Sequence, residues 1–180
     1  MMKIIEAKTT LQLENIKRLY EEAFPAEQRM PFTTLVNTQT AGGVEILSIE
    51  NATGDFYGLA IMFVDAKAAL LAYFAIAPEK RGGGIGSKVL KLLEERYYDK
   101  HFCLEIESTK VAADNAEQRR CRKAFYLRNG MKEASFGVNL FGVAMEVLTN
   151  RPGLSFGEYQ APYQNAFGKD CVKKITEIKS

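Results

Sequence analysis

Apolar and polar positions along the chain divide it into segments of strand and helix character. Lys3–Ala7 reads as a first short strand, and behind it Thr9 or Thr10 caps a helix whose apolar face is Leu11, Ile16, Leu19, Tyr20 and Ala23. Pro25 ends that helix, and Ala26–Phe32 follows as a polar loop containing Glu27, Arg29 and Pro31, with Phe24 and Phe32 at its ends. A short helix, Thr33–Gln39, precedes Gly42-Gly43. Val44–Glu50 and Phe56–Asp65 read as two strands around the turn-rich Asn51–Asp55. Ala69–Ala77 carries no charge, the character of a strand buried on both faces, and Pro78 closes it by removing a backbone donor.

The second half continues in the same way. Val89, Leu90, Leu92, Leu93, Arg96 and Tyr97 fall on helical rows and predict a helix over Ile85–Lys100, crossing over right-handed to a parallel strand, Phe102–Ile106. Asp114-Asn115 starts a helix over Ala116–Asn129. Cys121, Ala124 and Phe125 are expected to face inward there, with Arg119, Arg120, Arg122 and Lys123 outward as a solvated basic face or, alternatively, toward cofactor phosphates. Met131–Leu148 holds two strand candidates around Gly137–Gly142, of which Val143–Leu148 is the clearer. After Pro152-Gly153, the aromatic tail Leu154–Ser180 reads as one or two helices packed on the domain.

Composition narrows the class. With 180 residues, one domain able to bury a core without staples is expected, and 47% apolar with 26% charged residues is the balance of a soluble globular chain. A net charge of +2 is too small to imply nucleic acid or membrane as partner. Cys103, Cys121, Cys171 and the single His101 have no clustered spacing, which argues against a disulfide scaffold or zinc site and fits a reducing cytoplasm. No metal is expected. The N-terminal stretch lacks the apolar core of a signal peptide, and no apolar run approaches ~18 residues.

The chemistry gathers after the uncharged strand, where Arg81, Gly82, Gly83, Gly84, Ile85, Gly86 and Ser87 run into the helix. Such a turn leaves uncrowded backbone N–H groups at a helix N-terminus, where the dipole adds about half a positive charge, and suits a phosphate or pyrophosphate. A P-loop fails, because Val89 follows Lys88 where a hydroxyl is needed. A dinucleotide fingerprint is nearer, as Gly82-x-Gly84 reaches Ser87 with Glu105 and Glu107 about 20 residues on. The pattern R-x-x-G-x-G is met without exception by Arg81, Gly84 and Gly86. With it, the sequence resembles the GNAT superfamily of acetyl-CoA-dependent N-acetyltransferases, whose signature loop follows the fourth strand. A second signature agrees: Phe125-Tyr126, then Gly130-Met131 at the close of a helix.

The resemblance implies an α/β (α+β) fold with a mixed, mostly antiparallel sheet of about six to seven strands flanked by helices. It implies one acetyltransferase domain over residues 1–180, with 151–180 as a helical extension. It also implies acetyl-CoA as co-substrate, its pyrophosphate on Arg81–Ser87 and its pantetheine arm on the main chain of Phe74, Ala75 and Ile76. Asn115 resembles the family's asparagine beside the arm, at a longer separation from Tyr126 than usual. Tyr126 matches the tyrosine that protonates the departing thiolate, its ordinary pKa near ~10 keeping it a donor; its plainer reading is a packed helix tyrosine. Glu105 and Glu107 alternate to one side of their strand, where either accepts an amine proton, directly or through water, or is a surface carboxylate. No nucleophile elbow occurs, so direct attack of a primary amine, small-molecule or peptide, in a ternary complex is the expected mechanism. The Pro25–Phe32 loop is either a solvated connection or a wall of the amine site. Other readings are a nucleotide-binding oxidoreductase, which the preceding hairpin disfavours, and a non-catalytic acyl-CoA module. The acceptor is not legible; a homodimer is an expectation from the family alone.

Overall fold

Local signals set most element boundaries. The computed structural model describes residues 1–179, and among these the chain forms eight strands and six α-helices. It divides into two compact units. The first comprises Met1–Phe63 and Leu71–Arg96. It holds β1 (Lys3–Glu6), α1 (Thr10–Ala23), α2 (Phe32–Ala41), β2 (Val44–Glu50), β3 (Phe56–Val64) up to Phe63, β4 (Ala68–Ile76) from Leu71, and α3 (Ile85–Arg96).

Thr9 starts α1 with a capping box, its hydroxyl accepting from Gln12 N–H at 3.2 Å while Gln12 Oε1 takes the Thr9 N–H at 3.2 Å. Ile16, Leu19 and Tyr20 form its buried stripe. The strand order in this unit is β1-β2-β3-β4, with β1–β2 and β2–β3 antiparallel and Leu47 opposite Ala60. Ile46, Leu47, Ile49, Leu59, Ile61 and Met62 are fully buried and make its core. Gln39 of α2 ties the sheet's beginning together, donating to Ala7 O (3.1 Å) and accepting from Ile46 N–H (3.0 Å). At Gly58, a Cβ would lie 2.3 Å from Ala75 O, so only glycine allows β3 and β4 to approach there.

The second unit comprises Val64–Leu70 and the chain from Tyr97 on. Its elements are β5 (His101–Glu107), α4 (Ala116–Arg128), β6 (Lys132–Leu140), β7 (Val143–Thr149), α5 (Phe156–Phe167), α6 (Lys169–Val172) and β8 (Ile175–Lys179). The order is β5-β7-β6-β8, with β5–β7, β6–β7 and β6–β8 all antiparallel. The β6–β7 hairpin turns on Phe141 (φ 50°) and Gly142 (φ 94°). Ser155 and Glu158 form the capping box of α5. Among the described residues no helix is long and apolar enough to cross a membrane.

The fold is the mixed α/β class with a mostly antiparallel sheet that the sequence predicts. Four details differ. The tail's helices are present, but Ile175–Lys179 is a strand pairing with β6, which raises the strand number above the predicted six to seven. Ser180 lies outside the described residues. The uncharged strand is not buried throughout: Ala68–Leu71 are buried, whereas Ala72, Tyr73, Phe74 and Ile76 are half-buried. The third helix stops at Arg96, short of Lys100. In α4, Cys121 and Ala124 are exposed, while Arg119 and Lys123 turn inward. Those two basic residues stand four apart on one helical stripe, and Glu107 and Glu146 supply the partners that make their burial tolerable.

Candidate active site

The first unit carries the predicted phosphate turn. After Ile76 the chain makes a 3₁₀ turn, Pro78–Lys80, and Arg81 folds back so that its Nε donates to Ile76 O at 3.1 Å. Gly82, Gly83 and Gly84 then take φ of 97°, 58° and 72° in succession. L-residues avoid these values, so the glycines are required by the backbone path. An added Cβ at any of the three would meet nothing within 4 Å, so the space beside these residues is open. Ile85 N–H bonds to Gly82 O (3.3 Å) and Lys88 N–H to Gly84 O (3.0 Å), which launches α3. The turn leads directly into the N-terminus of α3, where the first backbone N–H groups of a helix have no acceptor within the helix. Phe74 and Ile76, immediately upstream, keep half-exposed positions in β4; Ala75 is buried.

The same unit fixes the loop between α1 and α2. It contains a 3₁₀ turn, Ala26–Gln28, and three tyrosine hydroxyl contacts hold it. Tyr20 Oη donates to Met30 O (2.9 Å), Tyr73 Oη donates to Gln28 O (3.1 Å), and Met30 N–H donates to Tyr73 Oη (3.2 Å). Burial pushes the Tyr20 hydroxyl far above its ordinary pKa, helped by Tyr73 and opposed by Met30 and Arg29, so it stays a donor. Tyr20 and Tyr73 meet edge to face at 4.9 Å, with Phe24 5.1 Å from Tyr73 and Phe32 5.8 Å from Tyr20. A cavity of about 290 Å³ opens against this loop. Neither Tyr20 nor Tyr73 stood out in the sequence as a site residue, because a strand or helix tyrosine carries no local mark of what its hydroxyl reaches.

In the second unit, α4 places Tyr126 as its buried residue, the ring 5.1 Å from Phe125. Burial pushes its hydroxyl up to about 12, with the Arg122 charge pulling the other way, so it is protonated throughout the neutral range. Tyr126 O accepts from Asn129 N–H and Met131 N–H, and Gly130 takes φ 93°, as the closing signature predicts.

Glu107 and Asn115 come together. Arg119 bridges them, its guanidinium 2.8 Å from Glu107 Oε1 and its Nε 2.8 Å from Asn115 Oδ1, and Asn115 Nδ2 lies 3.5 Å from Glu107 Oε2. Glu105 is held elsewhere: Tyr159 Oη donates to one oxygen in a short hydrogen bond and Tyr163 Oη to the other at 2.5 Å. Burial raises its pKa, with both hydroxyls pulling it down. Glu146, on β7, accepts from Thr109 N–H and Oγ1 at 2.6 Å and pairs with Lys123 at 2.5 Å. Among the described residues no group of three or more histidines, cysteines and carboxylates is arranged to hold a metal.

The glycine turn between the fourth strand and α3, and the tyrosine near the close of α4, are the two places where the sequence carries its signatures. The chain belongs to the GNAT family of acetyltransferases: the model of that family, described as Acetyltransferase (GNAT) family, matches residues 5–131. It is therefore an acetyltransferase, and the oxidoreductase alternative falls away. Comparison with curated proteins gives no match. Among solved structures, one described as a GNAT-family acetyltransferase from Bacteroides thetaiotaomicron superposes with TM-score 0.73 at 17% identity, covering 93% of this chain and 99% of that one. Spermidine N-acetyltransferase from Vibrio cholerae, in complex with CoA and spermine, gives TM-score 0.62 at 14% identity, covering 82% and 94%. The ribosomal-protein-S18-alanine N-acetyltransferase of Escherichia coli gives 0.60 at 19%, covering 86% and 96%. At these identities the likeness is one of fold.

Proposed function

We propose that the chain, working as one acetyltransferase domain, moves the acetyl group of acetyl-CoA to a primary amine by direct attack in a ternary complex. The observation that carries this reading is the run of three left-handed glycines, each with open space where a side chain would stand. The group that must bind there is anionic and close to the backbone, and the residues of Arg81–Ser87 fit a pyrophosphate. When bound, acetyl-CoA supplies an activated thioester and a thiolate leaving group. The stretch at Phe74, Ala75 and Ile76, half-exposed at Phe74 and Ile76, supports main-chain pairing with an extended arm and one donor toward the developing oxyanion. Tyr126, kept protonated by burial, serves as the acid that delivers a proton to the thiolate.

Both predicted bases stay in the proposal with different roles. Glu105, with each oxygen held by a tyrosine of α5, is assigned to fixing that helix on β5. Glu107, ion-paired to Arg119, orders Asn115, and the amine's proton leaves through Glu107 or through water at its edge. The acceptor is a small-molecule or peptide amine. The test is direct: release of free CoA from acetyl-CoA in the presence of an amine panel, with acetyl-CoA and NAD compared for thermal stabilisation of the protein. CoA release that depends on amine, and stabilisation by acetyl-CoA alone, are expected. Absence of acetyl-CoA binding would overturn the reading.

A further inference from the structure

The cavity against the α1–α2 loop has a chemistry of its own. Its lining includes Tyr20, Glu21, Arg29, Met30, Pro31 and Phe32. The loop is preorganised, because the Tyr20 and Tyr73 hydroxyls hold its backbone at Gln28 and Met30. Within that wall Arg29 Nε is buried and has no hydrogen-bond partner among the described residues. A buried guanidinium N–H left unpaired is costly, and among the ion pairs of the described residues none joins Arg29 to Glu21 of α1 or to Glu27 of the loop. The part of the guanidinium that lines the cavity is thus left without an anionic partner from the protein, and a ligand can supply one.

We propose that this cavity receives the carboxylate of the acceptor, with Arg29 as the residue that binds it, so that the acceptor is a small amino acid carrying its own free carboxylate beside the amine. The proposal rests on the acetyl-transfer reading above and names the substrate class of that same activity. Three features favour this class. A guanidinium presents a planar fork that matches a carboxylate with two parallel hydrogen bonds. The volume, about 290 Å³, lies at the lower end of small-ligand sites and suits a metabolite of amino-acid size. A polycationic acceptor would bring like charge against Arg29, whereas a zwitterion meets Arg29 with its carboxylate and Glu21 with its ammonium. The loop's anchor, Tyr73, directly precedes Phe74, so the cavity wall is built onto the strand assigned to the acyl donor.

The test pairs ligands that differ only in the anion. Glycine, alanine, leucine, phenylalanine, glutamate and lysine, each against its own carboxamide, are titrated calorimetrically into the wild-type chain and into Arg29→Gln and Arg29→Lys. Acetyl-CoA affinity is measured in the same preparations. At least one free acid should bind about 10- to 100-fold more tightly than its carboxamide, the difference expected of a charge-assisted pair. Arg29→Gln should level acid and carboxamide, Arg29→Lys should restore part of the preference, and neither should move acetyl-CoA affinity. Equal binding of acid and carboxamide, a preference that survives Arg29→Gln, or no binding by any acid overturns the proposal. Tighter binding of the matching aminophosphonates than of the carboxylates overturns it as well. Loss of the acetyl-transfer reading would show separately, as failure of the wild type to bind acetyl-CoA.

Discussion

Replacing Gly84 by valine tests the glycine turn at its most exposed demand. Gly84 has φ +72°, and an added Cβ would meet no protein atom within 4 Å, so the side chain itself fits. Its cost to the fold is backbone strain, about 1–2 kcal/mol for an L-residue held in the left-handed region. At about 2–4 °C per kcal/mol for a chain of this size, Tm should fall by about 2–8 °C while the protein remains folded. The effect on binding should be larger. The space that is open in the protein is the space assigned to the pyrophosphate, and a β-branched side chain would push the anion off the N–H groups that hold it. Losing one hydrogen bond to a charged group costs about 1.5–3 kcal/mol, or roughly 10- to 100-fold in affinity. Gly84→Ala serves as the control, carrying the same strain with less bulk, and should lose less affinity for a similar change in Tm. Calorimetric titration with acetyl-CoA at a temperature well below both melting points is the assay. A folded Gly84→Val variant with wild-type acetyl-CoA affinity would remove the turn from the mechanism.

Three further outcomes are expected. Tyr126→Phe should lower kcat by about 10²–10⁴-fold with little change in KM for acetyl-CoA, because only proton donation is lost; an unchanged kcat returns Tyr126 to a packing role. Lys123→Met should cost about 3 kcal/mol in chemical denaturation, since it strands the Glu146 carboxylate, whose side chain is only 9% exposed, and Lys123→Met with Glu146→Leu should recover most of it; a single-variant loss below about 1 kcal/mol would mean that solvent screens the pair. Glu105→Gln should change the pH dependence of stability: burial, opposed by two tyrosines, puts the folded pKa above the usual 4.5, so the native state holds this proton more tightly than the unfolded chain and its stabilising effect fades as pH rises. Wild-type Tm should therefore decline relative to Glu105→Gln from about pH 4.5 toward neutrality, and parallel curves would count against the raised value.

Much of the fold was legible because its signals are local. Thr9 caps α1, and the glycine turn separates β4 from α3. Asn51 joins β2 to β3 through side-chain bonds to the turn's own backbone, its Oδ1 accepting from Thr53 N–H at 3.0 Å and Asp55 N–H at 2.9 Å. The tail was harder for a physical reason. Ile175–Lys179 has one buried residue, Ile175, followed by four exposed ones, so its strand identity comes from pairing with β6 and not from an apolar period. The burial of β4 was overestimated for a related reason. An uncharged run reports what a strand tolerates, and half-exposure at Ala72–Phe74 and Ile76 is compatible with the same letters.

The candidate site divides along the same line. Its backbone part, the positive-φ glycines, was written in the residue types, because only glycine follows that path at little cost. Its side-chain part depends on who meets whom across elements. Glu105 and Glu107 look equivalent in sequence, two apart on one strand, yet one is held between Tyr159 and Tyr163 and the other is bound by Arg119 and Asn115. The basic run from Arg119 to Lys123 likewise reads as a uniform outer face. Helical geometry selects its first and last members, four apart, to meet Glu107 and Glu146, while Arg120 pairs with Glu117 on an exposed surface. Arg29 is the reverse case. Its local surroundings, a polar loop between two helices, leave open a solvated connection or a wall of the amine site, and the fold leaves its Nε buried and unpaired beside a cavity. A residue whose tertiary setting leaves it worse satisfied than its sequence neighbours could have made it is held there against a cost. That cost is what directs attention from the acyl donor, which the family fixes, to the acceptor, which it does not.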